Sequence, residues 1–216
     1  MGALKLVAVS AGLSRPSSTR LLADRLAEAT VRGLAAADRE VEVEIVELRE
    51  LAVDIAHHLV TGFPSPALGA SLDRVTGADG LIVVTPVFAA SYSGLFKSFF
   101  DLVEPDALAG TPVLLAATGG TARHSLVLEH ALRPLFTYLH ALPLPTAVYA
   151  ATDDWGAGAD TYGGGLPTRI ERAGAEFGRL VGAVRGEERS RTGASGPDEP
   201  AEAKVVPFEE LLGRPA

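Results

Sequence analysis

Short apolar runs alternate with longer amphipathic segments along most of this chain. Because runs of this length with few polar atoms are typical of buried strands, we predict five strands. They lie at residues 4–9, 42–47, 80–84, 111–117 and 144–149. The second run alternates charged and apolar side chains, which indicates an edge of the sheet with one wetter face. Strands that alternate with helices in this way predict a parallel sheet that is covered on both faces.

Helical spacing of apolar residues separates the predicted strands. We predict helices from residue 21 onward, over about ten residues that end near Gly77, and at residues 93–103, 125–140 and 167–184. For residues 48–61 the pattern leaves both a loop and a short helical turn open. Pro134 lies in the fourth of these helices and has no amide hydrogen for the carbonyl of His130, so we predict a kink or bulge near His130.

The number and spacing of these elements define the expected fold and its extent. Five parallel strands with right-handed connections favour a flavodoxin-like, three-layer α/β sandwich with the strand order 2-1-3-4-5. We assign residues 1–186 to this single domain, which is long enough to bury a full core. Residues 187–216 form a C-terminal tail, in which a polar, Pro-containing stretch predicts a flexible linker and the apolar residues 205–212 predict a short docking segment.

The charge balance excludes two classes of partner. The chain has 19 Lys and Arg residues against 27 Asp and Glu residues, which gives a formal net charge of −8. General nucleic-acid binding needs clustered cations that neutralise phosphates, so we expect no nucleic-acid partner. The same balance offers no basic patch for anionic lipid, and we expect no membrane partner.

The chain has no cysteine, which excludes disulfides, a thiolate nucleophile and cysteine-ligated metals. The histidines do not share the i, i+4 spacing of a helical metal site, so no metal is predicted. The first ten residues lack a signal-peptide pattern, and no run reaches the ~18 apolar residues of a spanning helix. Together these observations predict a cytoplasmic protein.

The first loop, at residues 10–19, carries four serines, a threonine and an arginine directly before a helix. Hydroxyl groups and free amide hydrogens at a helix start bind phosphate, and the helix dipole adds to the attraction. Arg15 adds a bidentate donor. The alternative is that Ser17 or Ser18 only caps the helix. The glycine patterns of dinucleotide folds and of P-loops are absent from this loop.

Two further loops, after the third and fourth strands, are built from small residues. Pro86 fixes the backbone where the third strand leaves the sheet, and the small side chains that follow allow a flat ring to approach the main chain. Phe88 and Tyr92 either border that ring or belong to the core. After the fourth strand, Gly119 and Gly120 allow close approach to main-chain amides. Plain connections between strand and helix remain the alternative for both loops.

The three loops together match the parts of flavin mononucleotide (FMN), which has a phosphate and a long flat ring with polar edges. The combination resembles the NAD(P)H-dependent FMN reductases of the flavodoxin-like superfamily, especially those that supply reduced flavin to two-component monooxygenases. Residues 10–19, 85–103 and 117–136 carry the resemblance, which extends from about residue 4 to residue 182.

The resemblance implies a role for each loop. It places the phosphate at Ser10, Arg15, Ser17, Ser18 and Thr19. It places the flavin ring at Pro86, Val87, Phe88 and Ser91, with its pyrimidine end at Gly119 and Gly120, and it adds Thr118 as a further cofactor-binding residue. The implied cofactors are FMN and NADPH or NADH, and the implied assembly is a homodimer or homotetramer. The implied acceptor of reduced flavin is a partner monooxygenase or another electron acceptor.

The chemistry implied by this resemblance belongs to the cofactor, because hydride passes from nicotinamide to flavin N5, and no catalytic side chain is predicted. Two alternatives remain open, namely an FMN-containing quinone or azo reductase and a non-catalytic flavodoxin-like electron carrier. His130 stands where related reductases often have an aromatic residue. For this histidine, flavin stacking, tuning of a subunit interface and a solvated helix face all remain open.

Overall fold

The structure is a computed structural model and describes residues 3–35, 40–156 and 165–193. A parallel sheet with helices on both faces forms its centre. The strands are β1 (Leu4–Ser10), β2 (Val41–Glu47), β3 (Gly80–Phe88), β4 (Ser91–Tyr92), β5 (Pro112–Gly119), β6 (Leu142–Pro143) and β7 (Val148–Ala151). The α-helices are α1 (Ser18–Ala35), α2 (Ala52–Thr61), α3 (Pro66–Thr76), α4 (Gly94–Phe100), α5 (Arg133–Tyr138) and α6 (Leu166–Gly193).

The parallel strands follow the order β2-β1-β3-β5, and both β6 and β7 pair in parallel with β5. The predicted order 2-1-3-4-5 is therefore confirmed, with the fifth strand in two parts. The continuous fifth strand predicted at residues 144–149 is wrong. Pro143 and Pro145 lack the amide hydrogens that a strand ladder uses, so the pairing is interrupted before Val148.

The core lies on both faces of the sheet, as the apolar runs predict. Successive side chains of a strand point to opposite faces, so Leu6 and Ala8 pack with α1 and α6. Val7 and Val9 pack on the other face, with α4 and α5. The wetter strand β2 lies at the sheet edge, which confirms the interpretation of its alternating pattern. Residues 48–61, which the sequence left open, form a 3-10 turn at Leu48–Leu51 and helix α2.

Helices α1 and α6 cross at very short range. A Cβ atom added to Gly174 would lie 2.5 Å from Cβ of Ala29 and 2.8 Å from the amide nitrogen of Thr30. Only glycine leaves enough room for this contact between the two helix backbones. The crossing lies in the second half of α1, at Ala29 and Thr30, and packs this helix against the last one.

The third strand is longer than predicted and turns back on itself. It extends to Phe88 and pairs antiparallel with β4. The two residues between the strands, Ala89 and Ala90, have φ values of 48° and 66°. A two-residue hairpin turn of this kind usually carries Asn or Gly. For most other residues, such as alanine, the left-handed backbone conformation costs roughly 1–2 kcal/mol. The small-residue loop predicted after the third strand therefore includes a hairpin turn.

The bulge predicted near His130 is confirmed. Leu128–Leu132 forms a π-helical segment, in which the amide of Arg133 donates to the carbonyl of Leu128, five residues earlier. The helix predicted for residues 125–140 is thus interrupted at the predicted place, because Pro134 removes one donor from the regular ladder. A 3-10 turn at Ala122–His124 precedes the π segment, and α5 follows it.

The described chain ends in α6. A compact unit extends to Arg185 and a second one begins at Gly186. Residues 187–193, which we predicted as linker, are helical. The predicted docking segment at residues 205–212 lies outside the described residues. Among those described, no helix is long and apolar enough to cross a membrane.

Candidate flavin site

The carboxyl ends of β1, β3, β5 and β7 surround a cavity of about 530 Å³. Ligands of open α/β sheets bind at this edge, where the loops after parallel strands converge. The predicted flavin residues on the cavity wall are Ser18, Thr19, Pro86, Val87, Phe88, Thr118, Gly119 and Gly120. The structure thus brings residues of all three predicted loops to one cavity.

The first loop ends in a well-formed helix start. Ser17 caps α1, because its Oγ accepts the amide hydrogen of Arg20 at 3.2 Å. A Cβ atom added to Gly12 would lie 2.0 Å from the same Oγ, so the loop needs glycine beside the cap. Ser18 and Thr19 follow the cap and face the cavity. Free amide hydrogens at the start of a helix make this end of the cavity suited to an anion.

Four predicted residues lie elsewhere. Ser17 is engaged in the cap, and Ser10 is buried at the end of β1. Arg15 is exposed, with its Nη2 atom 2.9 Å from Oε1 of Glu50. Ser91 lines a separate groove on the β4 side of the hairpin. Their roles toward a flavin stay predictions.

Carboxylates neutralise the arginines around the first loop. Arg20 pairs with Asp24 at 2.9 Å and also with Glu47. The hydrogen bond to Asp24 is the main reason that the pKa of Arg20 is raised. Arg49 bonds Glu47 at 3.1 Å, and its Nη1 donates to the carbonyl of Ser14 at 3.0 Å. Arg49 therefore ties the first loop to the residues after β2.

A buried hydrogen bond joins the first and third loops. The hydroxyl oxygens of Thr19 and Thr118 are 2.8 Å apart. Both side chains are almost fully buried. The bond fixes the start of α1 against the end of β5, which sets the distance between the two loops.

The third loop rests on Tyr149. The Tyr149 hydroxyl donates to the carbonyl of Thr121 at 2.8 Å. A Cβ atom added to Gly119 would lie 2.0 Å from that hydroxyl oxygen, whereas one added to Gly120 would meet no atom within 4 Å. Burial raises the pKa of Tyr149, so the hydroxyl stays protonated and keeps donating. Gly119 therefore serves packing, and Gly120 leaves open space at the cavity wall.

The hairpin is anchored at its base. The hydroxyl of Thr85 accepts the amide hydrogen of Ser93 at 3.0 Å, and Oγ of Ser93 accepts the amide hydrogen of Phe96 at 3.2 Å. Ser93 therefore caps α4 while its own amide is held by β3. Phe88, at the tip, is 48% exposed and lines the cavity, so it is part of the cavity wall and not of the core.

The wall also contains residues that the sequence patterns missed. They are Leu13, Ser14, Ala150, Thr152 and Trp155. The last three lie at the end of β7 and in the 3-10 turn after it. No sequence motif includes these three residues. Only their position after a predicted parallel strand indicates that they lie at the carboxyl edge of the sheet, beside the cavity.

A second groove, of about 640 Å³, lies beside the hairpin. Tyr92, Lys97, His130 and Tyr138 are among its lining residues. Lys97 pairs with Asp101 on the same helix. The structure thus places His130 in this groove, on the π-helical segment, and the alternatives for its role stay open.

Comparison with known proteins identifies the family. Residues 4–156 match the family described as NADPH-dependent FMN reductase. The match covers most of the chain, including all three loops that surround the cavity. This chain belongs to the NADPH-dependent FMN reductase family. The resemblance inferred from the three loops is confirmed.

Relatives within this family are similar over most of their length. The FMN reductase (NADPH) of Pseudomonas aeruginosa is 44% identical over 151 residues, which cover 70% of this chain and 78% of that protein. The NADH-dependent FMN reductase SfnE of Pseudomonas putida is 44% identical over 148 residues, which cover 68% of this chain and 77% of that protein.

Solved structures agree with the fold. The X-ray structure of an oxidoreductase from Corynebacterium diphtheriae has a TM-score of 0.80 at 44% identity and covers 85% of this chain and 99% of that one. The flavodoxin, WrbA-like protein of Agrobacterium tumefaciens has a TM-score of 0.56 at 16% identity, over 86% of this chain and 99% of that one. The second likeness concerns the fold alone, and it confirms the flavodoxin-like α/β prediction for this FMN reductase family member.

Proposed function

We propose that this chain is an NAD(P)H:FMN oxidoreductase, which passes a hydride from reduced nicotinamide to FMN and delivers reduced flavin to a partner monooxygenase or another acceptor. One observation carries the proposal: residues from the three loops that resemble FMN reductases line a single cavity at the carboxyl edge of the sheet. Membership in the FMN reductase family supports the same activity.

The cavity fits FMN in size and in donors. Its volume of about 530 Å³ lies within the usual range of small-molecule sites. The start of α1 offers the amide hydrogens of Ser18 and Thr19 and the hydroxyl of Ser18 for the phosphate. The hairpin residues Pro86 to Phe88 and the open space at Gly120 would hold the flat ring.

FMN, when bound, supplies the redox chemistry, and the protein binds and orients it. The main-chain amides at Gly119 and Gly120 would stabilise negative charge at the pyrimidine edge, since preorganised donors act there without reorganisation. Phe88 would pack against the ring and exclude water from one part of it. No side chain of this chain need accept or donate a proton.

The choice of nicotinamide and the assembly belong to the same proposal. One relative is named for NADPH and another for NADH, so both dinucleotides are candidates for this chain. We expect a homodimer or homotetramer. A flavin-dependent monooxygenase is the partner that the resemblance favours.

FMN binding to matched glycine variants tests the placement of the flavin. Gly120 and Gly69 both have open space around an added Cβ atom, so Gly120→Val and Gly69→Val should both fold. Gly120 lines the cavity and Gly69 lies on α3. We expect calorimetry to show at least a tenfold weaker FMN affinity for Gly120→Val and no change for Gly69→Val. Equal affinities in an active enzyme would contradict the placement, and no FMN binding to the wild type would contradict the function.

A further inference from the structure

The chain has one tryptophan, Trp155, and its side chain lies on the wall of the cavity. It ends the 3-10 turn Thr152–Trp155, directly after β7. This turn is outside the three loops from which we predicted the flavin site. Trp155 shares the wall with Ser18 and Thr19 at the start of α1.

The turn that carries Trp155 is fixed from behind. One carboxylate oxygen of Asp154 accepts the amide hydrogen of Ala151 at 2.8 Å. The other accepts from Nη2 of Arg169 at 2.6 Å, and Nη1 of Arg169 donates to the carbonyl of Tyr149, also at 2.6 Å. These bonds join the turn, β7 and the first turns of α6 into one network. The backbone at Trp155 is therefore set before any ligand binds.

The indole ring is also held from one face. The guanidinium carbon of Arg25 lies 5.3 Å from the ring centre of Trp155, which is within the range of a cation–π contact. Arg25 is on α1, two helical turns after Ser18. In the described part of the chain Arg25 makes no ion pair, unlike Arg20 and Arg49 nearby. Its cation is thus available to the indole ring.

We propose that Trp155 contacts the bound flavin and sets its affinity, and that Arg25 is a positioning residue that holds the indole ring on the cavity wall. The inference rests on the proposed function, because it requires the flavin to occupy this cavity. An aromatic ring that is held on its turn and on one face loses little freedom when a ligand packs beside it. A flat ligand with an apolar body gains contact area from such a wall.

Substitutions at Trp155 test its contact with FMN, and substitutions at Arg25 test how the indole ring is positioned. Trp155→Ala should weaken FMN binding about tenfold, whereas Trp155→Phe keeps an aromatic wall and should stay within about threefold of the wild type. Arg25→Ala should weaken binding about threefold, and Arg25→Lys, which keeps the cation, should restore it. Saturating FMN should return kcat to the wild-type value in each variant. Phe63→Ala removes an exposed aromatic side chain from outside the cavity and should leave FMN affinity unchanged.

The single tryptophan allows a direct readout. Protein labelled with 5-fluorotryptophan has one fluorine resonance, and the ring current of FMN shifts it only at short range. We expect FMN to shift this resonance in the wild type. In Arg25→Ala, even without FMN, we expect a displaced or broadened resonance because the ring has lost its support, whereas Arg25→Lys should keep the wild-type position.

The outcomes distinguish this inference from the proposed function. An unshifted fluorine resonance together with wild-type FMN affinity in Trp155→Ala would overturn the role of Trp155, even if the enzyme oxidises NAD(P)H with FMN. If Gly120→Val also binds FMN normally, the cavity itself is the wrong place. If Trp155→Ala does not fold, the fluorine resonance of the labelled wild-type protein decides the question, because a shift on addition of FMN supports the contact and an unchanged resonance overturns it.

Discussion

Replacing Gly119 by alanine should displace Tyr149 and loosen the third loop of the candidate site. The added Cβ atom would lie 2.0 Å from the hydroxyl oxygen and 3.1 Å from Cζ of Tyr149. Tyr149 is buried, and its hydroxyl is bonded to the carbonyl of Thr121, so the ring has little room to move. The contact is relieved only if that hydrogen bond breaks or the loop shifts.

The expected magnitude follows from two terms. Overpacking of a buried site costs about 1–3 kcal/mol, and the loss of one hydrogen bond costs about 1 kcal/mol. Gly119→Ala should therefore lower the free energy of unfolding by about 2–4 kcal/mol. Tyr149→Phe alone loses only the hydrogen bond, about 1 kcal/mol. In the double variant the new methyl group enters the space of the missing hydroxyl, so the two effects should total less than their sum by at least ~1 kcal/mol.

Urea denaturation of the four proteins in this double-mutant cycle measures the coupling. Gly120→Ala is the matched control, because its Cβ atom meets nothing within 4 Å and its stability should stay within about 0.5 kcal/mol of the wild type. FMN affinity should fall in Gly119→Ala and partly recover in the double variant. Additive stability effects, or a neutral Gly119→Ala, would refute the contact and the packing role that we assign to Gly119.

Three further predictions concern the supports of the site. Calorimetry should show that Gly174→Ala lowers the free energy of unfolding by about 1–3 kcal/mol. In the control Gly182→Ala, on the same helix, the nearest atom lies 3.9 Å from the added Cβ atom, so the free energy of unfolding should rise by up to ~1 kcal/mol. The reverse order would contradict the close crossing of α1 and α6. Thr118→Val leaves the buried hydroxyl of Thr19 without its partner and should cost about 1–3 kcal/mol in urea denaturation, so an unchanged midpoint would contradict that bond. Burial raises the pKa of the Tyr149 hydroxyl above its usual value of 10.0. The contribution of Tyr149 to the free energy of unfolding is therefore complete below pH 10.0, and it is lost as the pH rises through the higher pKa of the folded state. Above pH 10.0, the difference in the free energy of unfolding between the wild type and Tyr149→Phe should therefore become smaller. A difference that becomes larger with rising pH would contradict a raised pKa for Tyr149.

Much of the fold was predictable because it depends on local chemistry. The apolar runs fixed which segments are central strands, and the charged alternation of β2 marked the edge. Pro134 predicted the break in the helix that the structure shows as a π-helical segment. Its missing amide hydrogen changes the backbone hydrogen bonds of the helix regardless of what the helix packs against. Three loops at the carboxyl ends of parallel strands were expected to meet, and residues from each line the cavity.

The errors arose where tertiary contacts override local patterns. Ala89 and Ala90 carry no turn signal, and their left-handed backbone is imposed by the pairing of β3 with β4. Trp155 belongs to no recognisable motif, and its place on the wall depends on the bonds of Asp154 and on the contact with Arg25. Trp155 can be assigned to the cavity wall only when the pairing of the last strand, β7, with β5 is known.

Steady-state oxidation of NADH and NADPH by the purified protein tests whether this chain reduces FMN with a nicotinamide dinucleotide. FMN, FAD and riboflavin are titrated in turn at a fixed concentration of each dinucleotide. We predict a rate that saturates with FMN and vanishes without added flavin, with at least one of the two dinucleotides. No oxidation at any flavin concentration with either dinucleotide would show that the chain lacks this activity.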